Sequence, residues 1–292
     1  MKRLKIAAGS LGLLALLENF RELHDFRVTE YQITSEKLAG LEGEASVLFL
    51  SDLHNHRYGR GNRRLLEAVR RMRPDLILIG GDMVVAKDGH TDQTALEFVQ
   101  ALPDIAPVYY ANGNHEQRLK EHPERYQGSY LKYREKLEAK GVLFLENRTE
   151  EYVLKGARLF LTGLEIPLED YARFYQPKLK MREIEERIGQ RSRGGFSVLL
   201  AHNPSYMKQY LDWGADLILS GHYHGGLVRL PGVGAVMSPG FQLFPPYSGG
   251  RYRENGQDIV VSKGLGTHTF HIRLGNPAEA ILLRLSGAPP QA

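Results

Sequence analysis

Seven side chains of the sequence have the types and the spacing that a pair of divalent cations requires. Imidazole nitrogens and carboxylate or amide oxygens bind such ions, and a pair also needs one anionic group that can bridge them. The chain has no Cys, so thiolate ligands are excluded. The seven lie in loops rich in Gly, Asp, His or Asn, each after a short apolar run: Asp52, His54, Asp82, Asn114, His202, His222 and His224.

The apolar runs alternate with helix-like stretches, which is typical of α/β architecture. Five runs lead into these loops and cover residues 47–50, 75–79, 107–111, 196–201 and 216–220. Ligands of α/β sheets bind beyond the carboxyl ends of the strands, so the five loops are expected to meet at one site. In an extended segment, residues two apart point the same way, so Asp52 and His54 can address one region. The same holds for His222 and His224.

The same patterns predict the remaining elements. Helices are expected from an Asn62 N-cap onward and over residues 92–102, 130–140 and 178–193, the last ending at Gly194. Further strands are expected over residues 142–145, 152–154, 159–162, 259–262 and 280–285.

The N-terminus combines positive charge with an apolar run. Residues 1–5 carry three basic side chains, and residues 6–17 follow without any charge. Twelve residues are too few to span a bilayer as a helix, which needs about 20. Their number suits the core of a signal peptide, but no small-x-small cleavage site precedes Glu18. A membrane-surface anchor and an ordinary packed helix remain open. We expect a weak membrane anchor with the rest cytoplasmic, although the run does not decide which side of the membrane the chain faces.

Composition sets limits on the partners. The chain has 292 residues, of which 42% are hydrophobic and 25% charged, as in ordinary soluble globular proteins. Lys and Arg exceed Asp and Glu by 38 to 34, which suits an anionic substrate. A nucleic acid is not an expected partner, because the sequence has no long basic stretch with interleaved aromatics. The oligomeric state is left open.

The loops together resemble the calcineurin-like metallophosphoesterase superfamily, whose motifs occur in the order D-x-H, G-D-x, G-N-H-E, H and G-H-x-H. Each motif alone is weak, but five in this order are specific. Here they are Asp52-Leu53-His54, Gly81-Asp82-Met83, Gly113-Asn114-His115-Glu116, His202 and Gly221-His222-Tyr223-His224. The resemblance implies an α/β fold with two packed mixed β-sheets flanked by helices, a four-layer α/β/β/α sandwich. We expect a basic and apolar lead-in over residues 1–44, a catalytic domain over 45–286 and a tail over 287–292.

The resemblance also implies a role for each ligand. Asp52, His54 and His224 would hold a first ion. Asn114, His202 and His222 would hold a second, and Asp82 would bridge the two. Mn²⁺, Fe or Zn²⁺ suits these donors.

The mechanism expected from such a pair is direct hydrolysis. Two cations lower the pKa of a water between them, so a bridging hydroxide can attack phosphorus in line without a covalent enzyme intermediate. The predicted catalytic residues are Asp82 and His115. We expect His115 to protonate the leaving oxygen or to stabilise the charged phosphorus centre, with Glu116 as a candidate to orient it.

The other histidines have simpler interpretations. We interpret His56 as structural, because the motif needs only His54. Three more histidines have polar surroundings typical of a protein surface: His24, His90 and His122. Two others lie in a late loop that could approach the site, and we assign them no role: His268 and His271.

The segment 232–247, rich in aromatic residues and prolines, follows the last motif. It is either a connection over the sheet edge or an apolar lip beside the phosphate site. With the N-terminus, a lip would suit a phosphoester carried on a lipid or a membrane-bound glycan precursor. The chain resembles the bacterial branch of the superfamily, which includes N-terminally anchored members, and lipid-linked nucleotide-sugar pyrophosphatases are similar in motif order.

The expected function is hydrolysis of a phosphomonoester, phosphodiester or pyrophosphate bond. One alternative is a metal-binding scaffold of the same fold without turnover. Another is a nuclease or a cyclic-nucleotide phosphodiesterase, because the same metal chemistry cleaves any accessible phosphodiester.

Overall fold

The computed structural model describes residues 2–89, 91–172, 178–238, 240–267 and 270–288, with the side chains of residues 2–8 and 11 outside that description. Its strands are β1 (Phe26–Ser35), β2 (Glu44–Leu50), β3 (Leu76–Ile79), β4 (Val108–Tyr110), β5 (Val142–Phe144), β6 (Arg148–Leu154), β7 (Ala157–Leu164), β8 (Phe196–Ala201), β9 (Leu217–Ser220), β10 (Arg229–Leu230), β11 (Gly234–Ala235), β12 (Gly250–Glu254), β13 (Gln257–Val261) and β14 (Ala278–Gly287). Its helices are α1 (Lys2–His24), α2 (Arg63–Met72), α3 (Gln93–Val99), α4 (Asn114–Glu121), α5 (Ser129–Glu138), α6 (Met181–Ile188) and α7 (Met207–Trp213).

Two six-stranded sheets form the framework of the described chain. The first has the order β1-β14-β2-β3-β4-β5, with β2 to β5 parallel and β14 antiparallel to β2. The second has the order β12-β13-β9-β8-β7-β6, with four parallel central strands and an antiparallel strand at each edge. Both sheets are therefore mixed, as predicted.

The layers follow from side-chain alternation along the strands. In β2, Leu48 and Leu50 pack against Leu65 of α2, whereas Phe49 packs with Val198 of the second sheet. A separate cluster joins the outer face of the second sheet to α6 and α7. Central strands are apolar on both faces because each sheet is covered on both sides. The predicted arrangement of helices, sheet, sheet and helices is confirmed.

Some elements differ from the predictions. No strand was predicted before residue 47, yet β1 pairs in parallel with β14 from Phe26 to Ser35. Its apolar residues alternate with polar ones at an exposed sheet edge, so no continuous apolar run marks it. The division at residues 44 and 45 stays a prediction. A unit beginning at residue 45 would lack this edge strand.

One predicted helix boundary is wrong, and at another the expected cap bond is not formed. Helix α6 ends at Ile188 rather than near residue 193, because Gly189 has a φ of 68° and turns the chain out of the helix. Asn62 precedes α2 as expected, but it is left-handed with a φ of 56° and its side chain makes no cap bond. Its Oδ1 accepts instead from the Tyr58 N–H at 2.7 Å.

Helix α1 lies against the protein only in part. Five of its large side chains are 57–68% exposed: Leu13, Leu14, Leu16, Leu17 and Phe20. Near its end, Glu22 is buried and accepts from the Asn276 N–H at 2.9 Å. Among the described helices, none combines the length and apolar character needed to cross a membrane.

Candidate metal centre

The predicted ligands meet where strands of both sheets end. Asp52 and His54 follow β2, Asp82 follows β3, and Asn114 begins α4 after β4. From the second sheet, His202 follows β8, and the remaining two ligands follow β9: His222 and His224. All of these loops leave the carboxyl ends of parallel strands, as expected for a ligand site in an α/β sheet.

One donor group consists of Asp52, His54 and His224, whose ligand atoms lie within 4.8 Å of one another. The Nε2 atoms of His54 and His224 are 3.0 Å apart, and His224 Nε2 is 3.3 Å from Asp52 Oδ1. All three residues are buried. Two imidazole nitrogens and a carboxylate oxygen facing one point are suitable donors for a divalent cation.

A second group consists of Asp82, His202 and His222. His202 Nε2 lies 3.2 Å from Asp82 Oδ2 and 3.7 Å from Asp52 Oδ1. Likewise, His54 Nε2 lies 3.7 Å from Asp82 Oδ2 and 3.8 Å from Asp52 Oδ1. The two donor groups are therefore contiguous, with both carboxylates between the imidazoles of the two sheets.

Asn114 was predicted to complete the second group. Its side chain is buried, and its Oδ1 has no hydrogen-bond partner within the described residues. A buried carbonyl oxygen without a partner is costly, and a cation would satisfy it. Its membership of the group stays a prediction.

The two ligand pairs converge by a different backbone route from the one expected. Asp52 and His54 have φ values of 56° and 48°, and His222 and His224 have 66° and 51°. These are left-handed conformations rather than extended ones, and Asp82 shares them with a φ of 54°. Non-glycine residues in this region cost free energy and are enriched at functional sites. The extended backbone expected for these pairs is therefore wrong, and the roles of the paired residues as ligands stay a prediction.

Two glycines leave room for the carboxylates. A Cβ on Gly113 would overlap Asp82 Oδ1, and a Cβ on Gly221 would overlap Asp52 Oδ2. Any larger residue at either position would push a carboxylate out of the site.

Backbone carbonyls orient two of the imidazoles. His202 Nδ1 donates to Gly80 O at 2.7 Å, and His224 Nδ1 donates to Gly266 O at 3.0 Å. In each neutral ring the Nε2 lone pair then points toward the carboxylates. Metal-binding histidines usually donate their second ring N–H to such an outer acceptor.

The electrostatics of the site also fit a cation. Burial lowers the pKa of His202, but the carboxylates of Asp82 and Asp52 outweigh it and raise the pKa to about 10. The two buried carboxylates therefore require a positive charge beside them, either a proton on His202 or a cation. Together with the inward-facing donor atoms, this shows that the described residues can hold divalent metal ions.

His115 and Glu116 are held by different contacts. The ring Nδ1 of His115 accepts from the Ala86 N–H at 2.9 Å, and the backbone N–H of His115 donates to Asp82 Oδ1 at 2.8 Å. The Glu116 carboxylate accepts from the N–H groups of Asp82 and Met83 at 2.7 and 2.8 Å. It also accepts from the Gly113 N–H at 3.0 Å. Glu116 thus ties together the loops after β3 and β4, whereas the Ala86 N–H orients the His115 ring.

Two further residues lie at the site that the sequence did not predict, Ser51 and Tyr171. Ser51 Oγ donates to Asp52 Oδ2 at 2.5 Å, and its position directly before the first motif was the signal that could have revealed it. The Tyr171 ring lies 5.1 Å from the His222 ring and 6.3 Å from that of His202. No sequence signal marks Tyr171, because it follows β7, a strand whose end bears no predicted ligand.

The remaining histidines are outside the donor groups found among the described residues. His56 is half-buried and lies edge-on to Tyr58, in keeping with a structural interpretation. Three others are exposed: His24, His122 and His271. His90 and His268 lie outside the described residues.

A model of the calcineurin-like phosphoesterase family matches residues 45–226, which is more than half of the chain. This chain belongs to the calcineurin-like phosphoesterase family. The match covers all seven predicted ligands, and the observed four-layer fold agrees with it.

Relatives of this calcineurin-like phosphoesterase include YpbG of Bacillus subtilis (strain 168), which is 27% identical over 245 residues, covering 83% of this chain and 81% of YpbG. Phosphodiesterase YaeI of Escherichia coli (strain K12) is 24% identical over 291 residues, covering 98% and 99% of the two chains. Among solved structures, phosphopantetheinyl hydrolase from Mycobacterium tuberculosis aligns with a TM-score of 0.46 at 14% identity, over 77% of this chain and 90% of that one. Family membership makes this chain a phosphoester hydrolase that binds metal ions.

Chelation of the metal is expected to destabilise this phosphoesterase. A ligand at 100 times its Kd stabilises the native state by about 2.7 kcal/mol, and each kcal/mol shifts Tm by about 2–4 °C in a domain of this size. We therefore expect EDTA to lower Tm by roughly 5–10 °C for each ion lost, and excess Mn²⁺ to restore it. Thermal unfolding followed by circular dichroism measures this. An identical Tm with and without chelator, in protein of known metal content, would contradict it.

Proposed function

We propose that this chain hydrolyses a phosphomonoester, phosphodiester or pyrophosphate bond with two divalent cations held by seven residues: Asp52, His54, Asp82, Asn114, His202, His222 and His224. The observation that supports it most is the contiguity of the two donor groups. The Nε2 atoms of His54 and His202 each lie within 3.8 Å of both site carboxylates. A cation in one group would therefore have the other group as its immediate neighbour.

In the proposed assignment, each ion would take two ligands from one sheet and a third from the other. Asp52 and His54 of the first sheet, with His224, would hold one ion. His202 and His222 of the second sheet, with Asn114, would hold the other, and Asp82 would serve both. Burial opposes ionisation of Asp82, but the imidazoles of His202 and His115 hold its pKa well below the usual range. Asp82 is therefore an anion at any working pH, as a bridging ligand has to be.

Two divalent cations in these positions supply Lewis-acid neutralisation of the phosphoryl oxygens and an activated water for in-line attack. The role that we propose for His115 is to donate a hydrogen bond or a proton to the substrate. Its Nδ1 accepts from the Ala86 N–H, so the proton of the neutral ring is on Nε2. That N–H would donate to a substrate oxygen, which assists the leaving group or stabilises charge on the phosphoryl group.

The apolar lip, the segment 232–247, favours the proposal of a substrate with an apolar part. Phe241, Leu243 and Phe244 are 41%, 64% and 60% exposed. The Tyr223 hydroxyl, on the residue between His222 and His224, donates to Gln242 Oε1 at 3.0 Å. The lip is thus attached to the backbone that carries the β9 ligands, which suits a phosphoester carried on a lipid.

We further propose that α1 binds the surface of an anionic membrane. Four exposed leucines and Phe20 present apolar area on one helix, and the sequence places three basic residues ahead of them. A helix lying on a membrane surface can insert exposed apolar side chains among the acyl chains while its basic residues contact anionic headgroups.

Loss of two exposed leucines of α1 is expected to weaken membrane binding. We expect Leu14→Ser with Leu17→Ser to reduce partitioning onto phosphatidylserine-containing vesicles by at least about 10-fold, since each buried Leu contributes roughly 1.5 kcal/mol or more. Vesicle co-sedimentation measures the effect. Val153→Ser on β6 removes an equally exposed residue, 61% accessible, and serves as the matched control. If both proteins partition equally, α1 is not the anchor.

The hydrolytic function is tested by release of p-nitrophenol from bis(p-nitrophenyl) phosphate with added Mn²⁺, alongside a lipid-linked diester and its soluble analogue. Elemental analysis of protein purified without added metal should find close to two ions per chain. Faster turnover of the lipid-linked diester is the expected result. A folded, two-ion protein that is inert toward every phosphoester tested would instead support a scaffold.

A further inference from the structure

Arg273 is one of the largest fully buried side chains of the described protein, at 1% exposure. Its Nη2 donates to Lys263 O at 2.8 Å and to Gly266 O at 2.7 Å, with a longer bond of 3.3 Å to Gly264 O. Its Nη1 donates to Asn276 O at 3.1 Å. Burying a guanidinium is costly, so these carbonyls are held in one arrangement around it.

The loop of residues 263–266, whose carbonyls accept hydrogen bonds from Arg273, supports one of the two donor groups. Gly266 O accepts from His224 Nδ1, and the Gly266 N–H donates to Asp52 O at 2.6 Å. The Leu265 N–H donates to Ser51 O at 3.1 Å. A shift of residues 263–266 would therefore move Asp52 and rotate the His224 ring.

Asn276 holds His224 from the opposite side. Its Nδ2 donates to His224 O at 2.7 Å and to Gly226 O at 2.6 Å, and the residue is completely buried. His224 is in a left-handed conformation, which persists only where the surroundings enforce it. Both the ring and the backbone of this ligand thus depend on the segment 273–276.

Helix α1 is attached to the same segment. Asn19 Oδ1 accepts from the Arg273 N–H at 2.8 Å, and Glu22 Oε2 accepts from the Asn276 N–H at 2.9 Å. Each pair is separated by 254 residues of sequence. In the second group, His202 is supported by Gly80 O, and His222 is hydrogen-bonded to the first group through its N–H to Asp52 Oδ1 at 3.1 Å.

We propose that Arg273 and Asn276 are positioning residues for the ion held by Asp52, His54 and His224, and that docking of α1 through Asn19 and Glu22 sets the affinity for that ion. The inference rests on the proposed two-ion site and adds its regulation. Undocking of α1 lowers the affinity for that ion more than for the other, which is linked to Asp52 through the His222 N–H. A helix that binds a membrane thereby adjusts half of the metal centre.

The test is metal titration of the full-length chain carrying Asn19→Ala with Glu22→Ala. Changes to groups that orient a metal ligand typically weaken binding by 10–100-fold. We expect the Kd for one Co²⁺ to rise by about that factor, with a clearly smaller rise in the second Kd and an altered visible spectrum for the first ion. The conservative pair Asn19→Asp with Glu22→Gln keeps both acceptor oxygens and should bind as the wild type does. Glu18→Ala, which removes an exposed carboxylate of the same helix paired with Arg21, is the matched control.

These variants change the end of α1 rather than the buried guanidinium, and circular dichroism checks that they fold. Arg273→Lys is the second test, since one ammonium cannot reproduce the planar fork to the carbonyls of 263–266. Equal isotherms and spectra for the Ala pair and the wild type, each with two ions, would overturn this inference alone. Wild-type protein that binds fewer than two ions would overturn the two-ion site as well.

Discussion

Asp82→Asn is expected to abolish hydrolysis and to leave the protein unable to retain both ions. The carboxylate lies 3.2 Å from His202 and 3.7 Å from His54, so one charge faces both donor groups. An amide has the same shape, and its oxygen can still accept from the His115 backbone N–H. It lacks the negative charge, however, so of the two carboxylates near both donor groups Asp52 alone is left. We expect kcat to fall by at least about 10³-fold, in line with the several kcal/mol that bound cations contribute to charge stabilisation.

Metal content and kcat are measured together for this variant. Changes that merely disturb the support of a ligand cost 10–100-fold in metal affinity, so loss of a ligand charge should cost more. Asp258→Asn is the matched control, because this buried carboxylate is paired with Arg251 far from the donor groups in sequence and fold. Two retained ions with full activity in the Asp82 variant would refute the bridging role.

His115→Ala is expected to reduce kcat by about 10²–10⁴-fold while both ions remain bound. The ring is oriented by the Ala86 N–H, and the proton of the neutral ring is on Nε2. Because p-nitrophenolate leaves without a proton, the loss should be smaller with a nitrophenyl diester than with an alkyl diester if His115 protonates the leaving oxygen. An equal loss with both substrates would indicate that His115 stabilises the phosphoryl charge instead.

This variant also distinguishes the enzyme from a metal-binding scaffold. A scaffold would bind two ions before and after the substitution and show no turnover to lose. His122→Ala removes an exposed imidazole and is the control for a change of His to Ala. If the His115 variant loses its ions along with its activity, the residue acts as a ligand or structural support rather than in proton donation.

The α/β alternation was predictable because central strands covered on both faces appear as continuous apolar runs, whereas the four-layer arrangement was implied by the family resemblance. The runs at residues 47–50 and 75–79 became β2 and β3, with alternate side chains in different cores. Strand β1 was not predictable in this way. Its place depends on ten residue pairs with β14, which lies at the opposite end of the sequence.

The chemical identity of the site was predictable from local motifs, because residue type determines which atoms can bind a cation. How those atoms are held was decided by the tertiary structure. The Asp52 carboxylate accepts from the His222 N–H across 170 residues, and the Glu116 carboxylate joins two loops. Arg273 and Asn276 belong to no motif, yet both form hydrogen bonds to the loops that fix the orientation of His224.

The sequence by itself therefore determined the donor types, their order and the strands that precede them, since these depend on near neighbours along the chain. Only contacts made in the folded protein decided the left-handed ligand conformations, the orientation of His115 and the attachment of α1 to the segment 273–276. The physical reason is that a hydrogen bond between segments 254 residues apart leaves no periodic pattern in either segment.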